Sequence, residues 1–213
     1  MKTLLTVHDE EKALIKAAQG GDLNAFNALI LRYQNLLFGI ALRMLGDEDI
    51  ASDAVQEALI SAFSKFNSFR GGSLRSWLAR VTVNACYDEM RRKRRQREVP
   101  IEQFNMEGEE VEDLMWMIDP GARPEEQYES YEMEKAIQHS LNLLTPAYRE
   151  VVILVDIEGL SYEEASISAR VPVGTVKSRL ARARLQMRST LQGYKDLLPA
   201  QYVTGMSQPV CIL

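Results

Sequence analysis

Residues 161–184 constrain this chain more than any other stretch, because they prescribe two short helices meeting at a tight turn. Ser161 is placed to cap the first helix, and Glu164, three residues on, completes a capping box. Ala165, Ile167 and Ala169 supply its apolar positions. The run Val171, Pro172, Val173, Gly174 is expected to break the helix and restart it. From Thr175 onward, Val176, Leu180, Ala183 and Met187 recur at three- and four-residue steps, which marks a buried stripe. Lys177, Ser178, Arg179, Arg182, Arg184 and Arg188 occupy the remaining faces. A helix-turn-helix needs this division: one stripe packs on the first helix and the exposed side is free to enter a major groove.

An ordinary helical hairpin with a basic face would give a similar pattern, and charge separates the two readings. Between positions 170 and 195 there are seven Lys or Arg and no Asp or Glu. A merely solvated face mixes signs, so that Glu–Lys pairs support the helix. Phosphate contact explains the missing carboxylates. The whole chain carries a formal charge of −5, which a uniform distribution would set against nucleic acid. The distribution is not uniform. Positions 70–97 hold nine basic residues against Asp88 and Glu89, whereas positions 98–134 hold thirteen acidic residues against Arg123 alone. Surface potentials are local at physiological salt, so the patches outweigh the sum.

Other classes find little support. Two cysteines, Cys86 and Cys211, are too few for a disulfide framework or a zinc site, and His8 and His139 lack neighbours at metal spacing. The acidic residues at 107–113 lack the Gly-centred spacing of a calcium loop. No nucleophile–base pair or phosphate-cradling Gly loop is present, so the expectation is a non-enzyme with no cofactor and no metal. The N-terminus does not read as a secretory signal, and no apolar run approaches the roughly 20 residues of a membrane span. A cytoplasmic protein without membrane insertion is expected.

The 213 residues read as all-α, in two small helical domains. Residues 1–97 form the first domain, 98–123 an acidic flexible linker, 124–192 the second domain, and 193–213 a tail without periodicity. In the first domain, Gly20 and Gly21 end one helix and Asp22 caps the next, which Gly46 closes. Asp47 opens a third, a loop follows at 67–73, and a fourth helix runs from about Leu74 into a basic run at 91–95. In the second, a helix starts near Glu125, and Thr145 with Pro146 announces another.

Two separate segments resemble one family. The approach LTPAYREVVIL at 144–154, EGLSYEE at 158–164 and the helix-turn-helix are similar to domain 4 of extracytoplasmic-function (ECF) sigma factors. DAVQE at 53–57, FRGG at 69–72 and WLARVTVN at 77–84 are similar to their domain 2. The resemblance covers about residues 10–95 and 125–192, in the family's order. It implies a subunit that directs core RNA polymerase to promoters and promotes melting. Asp53, Gln56 and Glu57 share one helix face; spacing alone makes this a solvated face, and the resemblance makes it a docking surface for the β′ coiled coil. The β flap is the other polymerase contact implied. Phe69, Arg70 and Asn84 are the implied readers of an unstacked base in the −10 element, with Arg91, Arg92, Arg94 and Arg95 holding the backbone. Trp77 falls in phase with Leu74, Leu78 and Val81 and is read as core. Thr175, Lys177, Ser178, Arg179 and Arg182 are the implied contacts to the −35 element. Promoter DNA and polymerase are thus the implied partners, with an anti-sigma protein left open.

Three other readings compete. A regulator that binds duplex DNA without polymerase would footprint alone. A helical interaction protein would show no promoter selectivity. An enzyme with an appended helix-turn-helix would need a catalytic constellation in residues 1–95 that is not visible.

Overall fold

A computed structural model describes residues 2–98 and 124–192, with side chains from 9 to 96 and from 131 to 192. The expected acidic linker beyond Glu98 and the tail from 193 lie outside the described residues. In order, the elements are α1 (Lys2–Gln19), α2 (Leu23–Leu45), α3 (Glu48–Ser64), a 3₁₀ turn (Phe66–Ser68) and α4 (Leu74–Glu98). Then follow α5 (Pro124–Asn142), α6 (Pro146–Val152), a π-helical turn (Ile153–Ile157), α7 (Tyr162–Ala169) and α8 (Val173–Leu191). No strand occurs among the described residues, in keeping with the all-α expectation.

The boundaries follow local chemistry. The Asp22 carboxylate accepts from the backbone N–H groups of Asn24 and Ala25, and Asp47 does the same for Ile50. Gly46 ends α2 in the left-handed region at φ 72°, where its N–H donates to the Leu42 carbonyl at 2.7 Å. Pro146 occupies the first turn of α6, although the Thr145 hydroxyl makes no capping bond. The capping box of Ser161 and Glu164 is complete in both directions.

The turn of the helix-turn-helix differs from the sequence expectation. Gly174 lies inside α8 rather than breaking the chain, and the left-handed residue is Arg170, at φ 54°. Pro172, at φ −57° and ψ 149°, then starts the new helix, since its ring favours extended backbone and cannot donate. Ile167 also departs from expectation: it is 53% exposed, while Ala165 carries the packing of α7.

One apolar cluster lies within the first half. Phe66 meets Phe26 and Trp77 edge-on at 5.3 and 5.6 Å, and Phe69 meets Trp77 at 5.7 Å. Such edge-to-face geometry suits the ring quadrupoles. Trp77 is buried, as its helical phase implies.

The larger cluster crosses between the halves. Ile40, Met44, Ala79, Val83 and Cys86 of the first half share it with Leu141, Ile153, Leu154, Ala165 and Leu180 of the second. Among the described residues, this cluster draws on both halves, while the aromatic cluster belongs to the first half alone. Ala79, Val83 and Cys86 of α4 lie in this cluster together with Ala165 of α7. α2 is long and apolar enough by composition to cross a membrane. Its apolar residues are instead used in both clusters, Phe26 and Leu29 in one and Ile40 and Met44 in the other.

Candidate nucleic-acid interface

The second helix of the helix-turn-helix, α8, buries Val176, Leu180 and Ala183, with Met187 half-buried. Each full burial of a large side chain such as Leu180 contributes about 2 kcal/mol, which fixes the rotation of the helix. That rotation leaves Lys177, Ser178 and Arg182 exposed on one face. Thr175 and Arg179 are half-buried. The Lys177 ammonium also lies 5.4 Å from the centre of the Tyr162 ring. Arg184, counted with the basic face in the sequence, is engaged elsewhere: its guanidinium binds Asp156 through two bonds of 2.9 and 2.5 Å. This fork-to-carboxylate contact raises the already high Arg184 pKa.

The loop between α3 and α4 presents a mixed picture. Arg70 is exposed, but the Phe69 ring is only 4% exposed and belongs to the aromatic core. Its carbonyl accepts from the Gln19 side chain at 2.6 Å, which ties the loop to α1. The ring cannot stack on a base without leaving the core, so the loop offers Arg70 and backbone instead. Gly71 and Gly72 adopt φ of 89° and 90°, a conformation that a side chain would strain. A hollow of about 600 Å³ lies beside them, lined by Lys12, Lys16, Tyr33 and Arg75 among others.

Asn84 is exposed and lines a second hollow of about 390 Å³, with Lys65, Ser68, Trp77 and Arg80. Arg170, from the end of α7, reaches the same rim. Burial lowers the Arg80 pKa and the nearby Arg170 charge lowers it further, as expected for facing cations.

The basic run is partly neutralised within the protein. Arg91 pairs with Asp88, and Arg92 pairs with Glu89 at 2.7 Å and with Glu57 at 3.5 Å. Arg94 and Arg95 are exposed near the end of α4. On α3, Asp53, Gln56 and Glu57 are all exposed, opposite the buried stripe of Ala51, Ala54, Ala58 and Ala62. Glu57 leans toward α4 through its pair with Arg92, so the three expected docking residues divide into a free pair and a tethered one.

Sequence reasoning missed a set of polar contacts between the halves. The Tyr87 hydroxyl donates to Glu150 at 2.7 Å. Burial raises the Glu150 carboxyl pKa, opposed by the Tyr87 bond and the Arg179 charge. Arg149 donates to the carbonyls of Leu141, Met44 and Asn142 at 2.9, 2.6 and 3.0 Å, capping the ends of α5 and α2 together. Arg75 donates to the Glu158 carbonyl and, at 3.4 Å, to that of Gly159. Those carbonyls border the π turn, where Glu158 N–H reaches back to Ile153 at 2.8 Å. Only the repeated apolar run at 151–155 hinted at irregular helix there, and nothing in it pointed to Arg75.

Known proteins resemble the chain in both halves. Sigma-70 region 2 matches residues 29–96, and Sigma-70, region 4 matches residues 134–187. The ECF RNA polymerase sigma-E factor of Haemophilus influenzae is 34% identical over 85% of this chain and 95% of its own. The ECF RNA polymerase sigma factor SigW of Bacillus subtilis is 32% identical over 85% and 96%. Among solved structures, the sigma factor RpoE of Bartonella quintana, in complex with the anti-sigma factor NepR, superposes with a TM-score of 0.59. It is 27% identical and covers 80% of this chain and 98% of that one. With both regions matched in order along one chain, and relatives covered almost end to end, this protein belongs to the ECF family of RNA polymerase sigma factors.

Proposed function

We propose that the chain directs core RNA polymerase to a set of promoters, with region 4 holding the −35 element and region 2 capturing the −10 element. The observation that carries this reading is the exposed face of Lys177, Ser178 and Arg182 on a helix whose other side is fully committed to the core. Lys and Arg on such a face suit guanine O6 and N7 in a major groove. The −10 contacts would come from Arg70 and Asn84, with Arg94 and Arg95 near the backbone. Phe69 would support the loop from below. Asp53 and Gln56 would meet the β′ coiled coil, and region 4 the β flap.

Melting requires no catalysis. If region 2 binds an unpaired strand better than duplex, its differential affinity shifts the promoter toward the open state. The protein therefore acts by binding, as a transcription initiation factor in the cytoplasm, with no cofactor. An anti-sigma partner belongs to the same reading, because the Bartonella quintana relative was solved with one.

The test is reconstitution. Polymerase lacking its specificity subunit should bind the purified chain and then initiate at promoters selected from a random library. A chain that footprints promoter DNA alone, and ignores polymerase, would be an independent regulator instead.

A further inference from the structure

Lys177 and Arg184 stand seven positions apart on α8, which is two turns, so both project from the same side of the helix. Tyr162, the first residue of α7, lies against both of them. Its ring centre is 5.4 Å from the Lys177 ammonium. Its hydroxyl bonds to the Arg184 guanidinium, which helps to raise the Arg184 pKa. The aromatic side chain therefore runs along α8, with one cation over its face and the other at its tip. Arg184 is in turn held by its two-bond fork on Asp156 in the π turn. Four side chains from three elements thus form one linked series, Asp156 to Arg184 to Tyr162 to Lys177, all within the second half.

Within this series only Lys177 is free to move. The Tyr162 backbone follows Ser161 in a complete capping box. Its ring is half-buried against the larger apolar cluster. Its tip meets a guanidinium whose own position is defined by two hydrogen bonds to a carboxylate. Lysine has the most to gain from such a support. An arginine carries a planar fork that selects guanine by its shape, whereas a lysine ends in a compact charge on a flexible stem. Ordering that stem on binding opposes association. A ring face that already holds the ammonium removes part of the cost and limits which base edge the charge can reach.

We infer that Tyr162 is a positioning residue for promoter readout: its ring, steadied by the Asp156–Arg184 fork, fixes where the Lys177 ammonium sits and so which base pair of the −35 element it discriminates. The inference rests on the reading of α8 as the −35 contact. It also assigns Arg184 to the protein rather than to a phosphate, although its charge and its place on α8 suit either.

The test is selection from a promoter library randomised across the −35 element, using holoenzyme reconstituted with the full chain. Lys177→Ala first locates the base pair that Lys177 reads, as the position whose preference flattens. Tyr162→Leu keeps the bulk but removes the aromatic face, and should lower the preference at that same base pair by about two- to fivefold. Preferences elsewhere in the element should not change. Combining Tyr162→Leu with Lys177→Ala should cost no more discrimination than Lys177→Ala alone, since the tyrosine acts through the lysine. Tyr162→Phe keeps the ring and should restore most of the preference. Asp156→Asn, outside the apolar clusters, loosens the fork without touching the core and should give a smaller loss at the same base pair.

Instability lowers binding to all sequences alike, so melting curves and the position of the loss separate a weakened fold from a misplaced lysine. A uniform loss in both Tyr162→Leu and Asp156→Asn, or an additive loss in the double variant, overturns the proposal and leaves Tyr162 as a packing residue. Uniformly tighter binding by Asp156→Asn overturns it as well, because Arg184 would then be a phosphate contact that Asp156 restrains. If Lys177→Ala flattens one position and Tyr162→Leu changes none, this inference alone fails. Should Lys177→Ala leave every preference intact, the −35 reading of α8 fails and the inference falls with it.

Discussion

The Tyr87 hydroxyl and the Glu150 carboxylate meet at 2.7 Å across the junction between α4 and α6, joining the two sigma regions through a partly buried hydrogen bond. Glu150 is 4% exposed, so few alternatives exist for its charge. Tyr87→Phe leaves the carboxylate without this donor. An unsatisfied buried acceptor costs about 1–3 kcal/mol, more when charged. The variant should lower the chemical denaturation midpoint accordingly, and an unchanged midpoint would show that water replaces the tyrosine.

Stability should rise as pH falls from neutral toward about 4.5, the ordinary carboxylate value. Burial raises the Glu150 and Glu158 pKa values, the latter against the opposing charges of Arg43 and Arg75. A group raised on folding binds its proton more tightly in the native state. Its contribution is therefore complete below the unfolded pKa and is lost as pH rises through the folded one. Glu164 behaves oppositely. Burial would raise it, but the Ser161 backbone N–H, the Ser73 hydroxyl and the Arg75 charge lower it overall, so its contribution fades only below about 4.5. Thermal melts across this window should show the rise in the parent and a flatter profile in Glu150→Gln.

Gly46→Ala should destabilise by about 1–2 kcal/mol, because a side chain in the left-handed region is strained. The new Cβ would also sit 3.3 Å from the Gln138 amide nitrogen and 3.4 Å from Asn142, both on α5. Differential denaturation of the two chains measures the loss. A neutral result would mean that α5 yields without penalty.

Asp53→Ala with Gln56→Ala should weaken binding to core polymerase, and leave binding of region 4 to duplex DNA unchanged. Both residues are exposed and have no role in the core, so a fall in thermal stability is not expected. Competition against a labelled sigma factor for core polymerase reads the effect directly.

Lys177→Ala with Arg182→Ala should do the reverse, reducing transcription from the cognate promoter with core binding intact. Each lost base contact removes about 1–3 kcal/mol of discrimination. Run-off transcription from promoter variants would show relaxed preference at the −35 positions. Loss of polymerase binding instead would place these residues at the wrong interface.

Local elements were legible in the chain itself. Asp22, Gly46, Asp47 and the Ser161–Glu164 box each announce a helix boundary through chemistry that acts within four residues. The phase of Trp77 and the stripe of Val176, Leu180 and Ala183 likewise reveal which face turns inward. Phe69 was less readable: its place in a loop suggested a free ring, and only neighbours at Phe66 and Trp77 decide that it is buried.

Short-range capping and helical period depend on residues adjacent along the chain, and for that reason the sequence alone determined most helix boundaries, the pairing of α7 with α8 and the family, although not the geometry of the turn. Whether the halves touch depends on side chains such as Ser73 and Glu164, separated by 91 positions. Likewise, Arg149 carries no mark in its own neighbourhood of binding Met44, 105 positions away. Contacts of that kind exist only once helices have packed, because the small residues of α4 and the irregular backbone at 153–157 must first create the surfaces that meet. The tertiary structure alone thus decided the closed arrangement of the two regions.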